Sequence, residues 1–160
     1  YYRKGLVLMQ TKQMKEALEN FTTALQFNRT YLDAYKSRGE VLLAMNQLTQ
    51  AMANYQQLID LLLPVYQEQQ RKMQVEAALK KELSELYAAV ARCQNRMQAY
   101  ANATTSADQS LTFDPTYHEA YYQRGVAYQA QKQYANAAQA FERAAKQQPT
   151  QMAYQYAYAN

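Results

Sequence analysis

The chain has 160 residues, with three Gly, three Pro, one Cys and a formal net charge of +4. That length suits one domain of ordinary size, and the excess of Ala, Leu, Gln, Met and Lys over Val and Ile favours helix over sheet. No apolar run approaches the ~20 residues that cross a bilayer, and a lone cysteine, Cys93, excludes an internal disulfide framework.

Apolar residues recurring at three- and four-residue intervals predict helices at roughly 1–10, 15–27, 32–45, 49–62, 84–95, 100–112, 118–131 and 134–147. Between the fourth and fifth lies "PVYQEQQRKMQVEAALKKEL", residues 64–83. It lacks Gly, Asn and Asp and is rich in good helix formers. A helical hairpin closes it best. The helix from Thr49 runs on past a kink at Pro64, turns near Arg71–Gln74 and returns into Leu79, Leu83, Leu86, Tyr87 and Val90. The polar run Gln67–Lys72 is expected to face water. At the far end, 152–160 carries Met152, Tyr154, Tyr156 and Tyr158 where a terminal repeat would show a polar cap, so the start of a further helix is expected there. A start at Tyr1 instead of Met leads us to expect a longer parent chain.

The glycines set a frame. Gly39 stands one period of thirty-four after Gly5, and Gly125 follows two further periods plus a surplus of eighteen, which places an equivalent anchor at Ala91. Four residues before each anchor stands Tyr1, Tyr35, Tyr87 or Tyr121. Nine after stand Met14, Leu48, Tyr100 and Tyr134, and twelve after stand Ala17, Ala51, Ala103 and Ala137. Sixteen after stand Phe21, Tyr55, Ala107 and Phe141; nineteen after stand Ala24, Leu58, Ser110 and Ala144. Pro115 and Pro149 close the last two registers. Small residues at fixed intervals mark close helix crossings, and the aromatics fill the space around them.

This pattern resembles the tetratricopeptide repeat, a 34-residue helix–turn–helix unit. The likeness is strongest over 118–151 and weakest over 84–117, where Ala91, Ala107 and Ser110 depart from it. It implies an all-α, right-handed α-solenoid forming one domain over 1–160. Its repeats are about 1–31, 32–63, 84–117 and 118–151, with the helical insertion at 64–83. Tyr1, Tyr35, Tyr55, Tyr87, Tyr100, Tyr121, Tyr128 and Tyr134 fall in packing slots and are expected in the core. Asp114 and Thr116 offer oxygens to cap the next helix.

In such proteins the first helix of each pair lines a concave groove. Tyr2 and Tyr122 carry no packing duty in the frame, and exposed aromatics and arginines suit a peptide ligand. The groove candidates are Tyr2, Arg3, Lys36, Glu40, Arg92, Asn95, Arg96, Tyr122 and Gln123. The carboxylate clamp of chaperone-binding relatives is missing, because Tyr2, Leu6, Ser37, Glu85 and Ala89 occupy its places. The asparagine ladder is missing too, with Arg3, Ser37, Ala89 and Gln123 in its places.

Catalysis finds no support. His118 at a helix start reads as a cap or a solvated side chain, and Cys93 as a small packing residue. Three glycines so far apart build no phosphate loop. No cofactor and no metal are expected. Charge is spread as +3 over 1–31, −1 over 32–63, +1 over 64–83, −1 over 84–117 and +2 over 118–160. That is too thin for a nucleic-acid footprint. The expected function is a protein–protein interaction scaffold that holds a peptide or helix of a partner. The alternatives are a permanent subunit of a larger complex and a regulatory module of an enzyme lying outside these residues.

Overall fold

The computed structural model describes residues 1–150, so the expected helix at 152–160 lies outside the described residues. Among the described residues there are eight α-helices: α1 (Tyr2–Gln10), α2 (Met14–Phe27), α3 (Leu32–Ala44), α4 (Leu48–Arg71), α5 (Ala77–Arg96), α6 (Tyr100–Phe113), α7 (His118–Ala130) and α8 (Tyr134–Gln147). They form two compact units, Tyr1–Leu61 and a second beginning at Leu62.

The pairs α1–α2, α3–α4, α5–α6 and α7–α8 are joined by the same turn. Lys12, Asn46, Gln98 and Lys132 sit there at φ of 62°, 59°, 62° and 61°. A left-handed residue at this place turns the next amide back onto the helix just ended. Gln13 N–H reaches Leu8 C=O at 2.8 Å, and Gln47, Ala99 and Gln133 repeat the bond at 2.8, 2.8 and 2.9 Å.

α4 runs through Pro64, as expected from the absence of helix breakers on either side. The imino acid donates no hydrogen bond, so the helix forgoes one bond there. The hairpin tip follows at Lys72–Glu76. Met73 takes a φ of 54° and is 93% exposed. Gln69 Oε1 accepts the Glu76 N–H at 3.1 Å, which ties the start of α5 to the end of α4. Gln67, Glu68, Gln70, Arg71 and Lys72 are exposed.

In the first unit, Ala17, Phe21 and Val41 form one buried cluster, joined by Leu6, Met9, Met14 and Met45. Ala24, Leu25 and Ala34 form another. In the second unit, Tyr121, Ala144 and Ala145 cluster under Leu111 and Tyr122. The anchors explain themselves. A Cβ on Gly5 would lie 2.6 Å from the Phe21 ring, on Gly39 2.4 Å from Tyr55 and on Gly125 2.5 Å from Phe141. In the third repeat both partners shrink, and Ala91 and Ala107 are each fully buried.

Three expectations are corrected here. Tyr1 and Tyr134 are each 65% exposed instead of buried. Their slots are completed by a neighbouring repeat, as Val41 of α3 completes the cluster that Met14 joins, and among the described residues no further helix pair reaches them. Asp114 does not cap α7, whose N-cap is Tyr117 without a side-chain bond. Asp114 Oδ1 accepts instead from Thr116 N–H at 2.9 Å and Thr116 O–H at 2.7 Å. Asn28 and Thr30 make the same local turn. Thirdly, Tyr2 and Tyr122 do carry packing. Their rings meet Phe21 and Phe141 at 5.8 Å in both cases, tilted by 49° and 48°. The phenyl rings that face Gly5 and Gly125 are broad enough to reach Tyr2 and Tyr122 as well.

Candidate functional site

The residues expected to line a groove fall on two faces, one in each unit. In the first unit α1 carries Tyr2 and Arg3, and α3 carries Lys36 and Glu40. Tyr2 is half-buried, with Tyr31 at 4.8 Å on one side and Phe21 on the other. Tyr2 and Arg3 share the wall of a cavity of about 580 Å³ with Tyr1, Ala24, Phe27, Asn28 and Tyr31. Burial raises the Tyr31 phenol above its ordinary pKa, with Tyr2 and Asp33 adding to the effect and Arg3 opposing it. On α3, Lys36 is half-buried and Glu40 is exposed. Glu40 Oε1 accepts the Tyr55 hydroxyl at 3.1 Å.

In the second unit the face is made by α5 and α7. Asn95 Nδ2 donates to Gln123 C=O at 2.8 Å and to Gln123 Oε1 at 2.9 Å. Gln123 Nε2 donates in turn to Glu119 Oε1 at 2.8 Å. Both amides are buried, at 8% and 5% exposure. They therefore hold α5 against α7, a use that the expectation of freely offered groove residues did not include. Buried amides of this kind are retained where every strong donor finds an acceptor.

Around that base stand Glu85, Arg92, Tyr117 and Glu119, all half-buried. Burial is the main cause that pushes the Tyr117 phenol up; Glu85, Glu119 and Asp114 push the same way and Arg92 opposes them. Arg96, the last residue of α5, is exposed. Cys93, on the same helix, is fully buried.

Two groups were not singled out from the sequence. Arg38 Nε donates to Asn54 Oδ1 at 2.7 Å, and its guanidinium lies 5.2 Å from the Tyr35 ring centre. Burial lowers its pKa. Arg124 repeats the arrangement, 5.2 Å over Tyr121 and 2.8 Å from Asp108 Oδ1. The signal was present, since both arginines directly precede an anchor glycine and follow its tyrosine by three. Phe27 was the other omission. Its spacing from Gly5 equals that of Phe113 from Ala91, and both rings stack on the tyrosine of their own register.

Among the described residues no group of three His, Cys, Asp or Glu side chains could hold a metal ion. No helix there is long and apolar enough to cross a membrane.

Antiparallel helix pairs repeated on one spacing, three of them locked by a glycine against a ring and the third in chain order by Ala91 and Ala107, define a helical-repeat protein of the α-solenoid class. Models of the tetratricopeptide repeat match residues 1–31 and 118–151. Those two helix pairs are tetratricopeptide repeats, and the helix pairs between them share the fold. Among solved structures, MamA (41-end) from Desulfovibrio magneticus RS-1 is similar, with a TM-score of 0.73 at 14% identity, over 98% of this chain and 79% of that one. A tetratricopeptide repeat protein from Parabacteroides merdae gives 0.76 at 14% identity, over 99% of this chain and 55% of that one. The second such domain of human RPAP3, solved in complex with the HSP70 peptide SGPTIEEVD, gives 0.59 at 20% identity, over 78% and 89%. These are likenesses of fold. No curated protein matches the sequence.

Proposed function

We propose that this chain is a protein–protein interaction scaffold whose first helices hold a peptide or helix of a partner in a concave groove. The observation that carries the reading is the face of α5 and α7. Its buried Asn95–Gln123 bonds tie the two helices that carry Glu85, Arg92 and Glu119 to each other before any partner arrives. Preorganisation of that kind lowers the entropic cost of association. The RPAP3 domain, a fold relative, was solved in complex with a peptide, which supports a peptide as the kind of ligand. The ligand is expected to differ from a chaperone C-terminus, because Tyr2, Leu6, Ser37, Glu85 and Ala89 stand where a carboxylate clamp needs basic residues and asparagines. Both signs of charge on the face call for a partner that carries both.

The test compares partners recovered by affinity capture and mass spectrometry on the wild type and on Lys36→Glu combined with Arg96→Glu. Both substitutions lie outside the buried clusters, and unchanged thermal unfolding would establish an intact fold. Loss of specific partners is expected; identical recovery would remove the groove from the mechanism. Permanent assembly into a complex is the second reading, favoured by the exposed rings of Tyr1, Phe27 and Tyr134. It predicts capture that excess groove peptide cannot reverse.

A further inference from the structure

Arg38 and Arg124 hold the same place in the repeat, one residue before an anchor glycine. Each guanidinium lies 5.2 Å over a tyrosine of its own helix. They differ in what answers the charge. Arg124 Nη1 meets Asp108 Oδ1 at 2.8 Å. Asp108 stands sixteen residues earlier, on the second helix of the preceding pair, and sixteen residues before Arg38 stands Thr22. The Thr22 hydroxyl carries no charge and is turned to its own helix, donating to Leu18 C=O at 2.8 Å. Arg38 has only neutral acceptors, Asn54 Oδ1 at 2.7 Å from Nε and Gln57 Oε1 at 3.5 Å from Nη2. Among the described residues no carboxylate pairs with it, and its Nη1 makes no hydrogen bond.

Open space borders the unanswered charge. Two cavities, of about 290 and 300 Å³, are each lined by Thr22, Arg38 and Gln57, and Arg29 borders the second. No Asp or Glu lines either of them. Their walls come from α2, α3 and α4, all interior to the chain. Arg38 is half-buried, and burial lowers its pKa. A partly desolvated cation gains most from an anion, because less water screens the pair. We propose that Arg38 heads a carboxylate-binding site between α2 and α4, which takes an Asp or Glu side chain of a partner protein. The second unit shows the fitting ligand, since there a carboxylate carried on polypeptide, Asp108, fills the equivalent place. Arg29 adds a second positive charge at the rim. Arg38 is two residues from both Lys36 and Glu40, hence on the opposite side of α3 from them. The site therefore does not rest on the groove reading, and its failure would leave that reading untouched.

The experiment follows the Arg38 side-chain Nε–H resonance by NMR at near-physiological salt, during titration with a hexaglutamate peptide, with sodium acetate and with inorganic phosphate. Hexaglutamate is expected to shift that resonance saturably and to bind more tightly than acetate, since further carboxylates of the peptide reach Arg29. Thr22→Asp places the chain's own carboxylate where Asp108 stands in the second unit. It should weaken hexaglutamate about tenfold or more, the worth of a hydrogen bond to a charged group, and raise the thermal unfolding midpoint. Gln67→Glu adds the same charge on the exposed hairpin and should leave binding unchanged, which separates the site from general attraction to a basic protein. An Arg38 resonance that does not move would overturn the proposal, as would binding indifferent to Thr22→Asp. Acetate as tight as hexaglutamate would make the ligand a free carboxylate, and phosphate tighter than both would make it a phosphoryl group. Either result would overturn the assignment to a protein side chain.

Discussion

At Gly5, Gly39 and Gly125 the missing side chain matters more than backbone freedom, since none of the three has positive φ. A ring already occupies the place of the Cβ. Gly125→Ala forces a buried, rigid phenyl ring to move, and overpacking costs about 1–3 kcal/mol. Ala is itself the better helix former by about 1 kcal/mol. Gly125→Ala is therefore expected to lower stability in the wild type and to raise it in a Phe141→Ala background. Urea unfolding of the four proteins in that cycle checks the change of sign, and the same sign in both backgrounds would refute the ring contact. The spacing of sixteen between glycine and ring was legible in the sequence, as was the paired change to Ala91 and Ala107. The packing of Tyr2 and Tyr122 on Phe21 and Phe141 was not. A residue one step round a helix from a packing slot is buried or exposed according to how wide its neighbour's partner is, and periodicity alone carries no such width.

At the scale of elements, the turns inside the helix pairs set the register. Lys132 holds a left-handed backbone between α7 and α8. An L side chain is strained there by roughly 1–2 kcal/mol relative to glycine, and a β-branched one by at least that much. Set against Lys132→Gly, Lys132→Val should lower the unfolding free energy by that much and bring the urea midpoint down with it, while Lys132→Gly should not lower the midpoint. Equal midpoints for the two would show that the turn does not depend on its handedness. The hairpin of α4 and α5 was readable from its lack of breakers and from the surplus of chain beyond the repeat period. The bond from Glu76 to Gln69 was not readable, because two antiparallel helices fix which side chains meet across a tip.

For the whole molecule, the buried polar groups link stability to pH. Tyr117 has a pKa raised above the ordinary 10.0, chiefly by burial and then by Glu85, Glu119 and Asp114 against Arg92. Its protonated form is favoured by the folded state. That contribution is intact below pH 10 and is lost as pH rises above it, because the phenol of the unfolded chain ionises first. Stability should therefore decline above pH 10, and Tyr117→Phe should flatten the decline. Denaturation midpoints followed across that pH would decide it, since an unaltered slope would place the titration elsewhere.

The sequence by itself determined the helical class, the repeat frame, the hairpin and the small-residue joints, because each follows from local spacing along a helix. Only the tertiary structure decided which frame positions are covered. Tyr121 is buried in a slot where Tyr1 stands exposed, and Asn95 and Gln123 are bound to each other instead of being offered outward. Periodicity states which side of a helix a residue is on. Burial depends on whether another helix arrives there, and that is a property of neighbours distant in the chain.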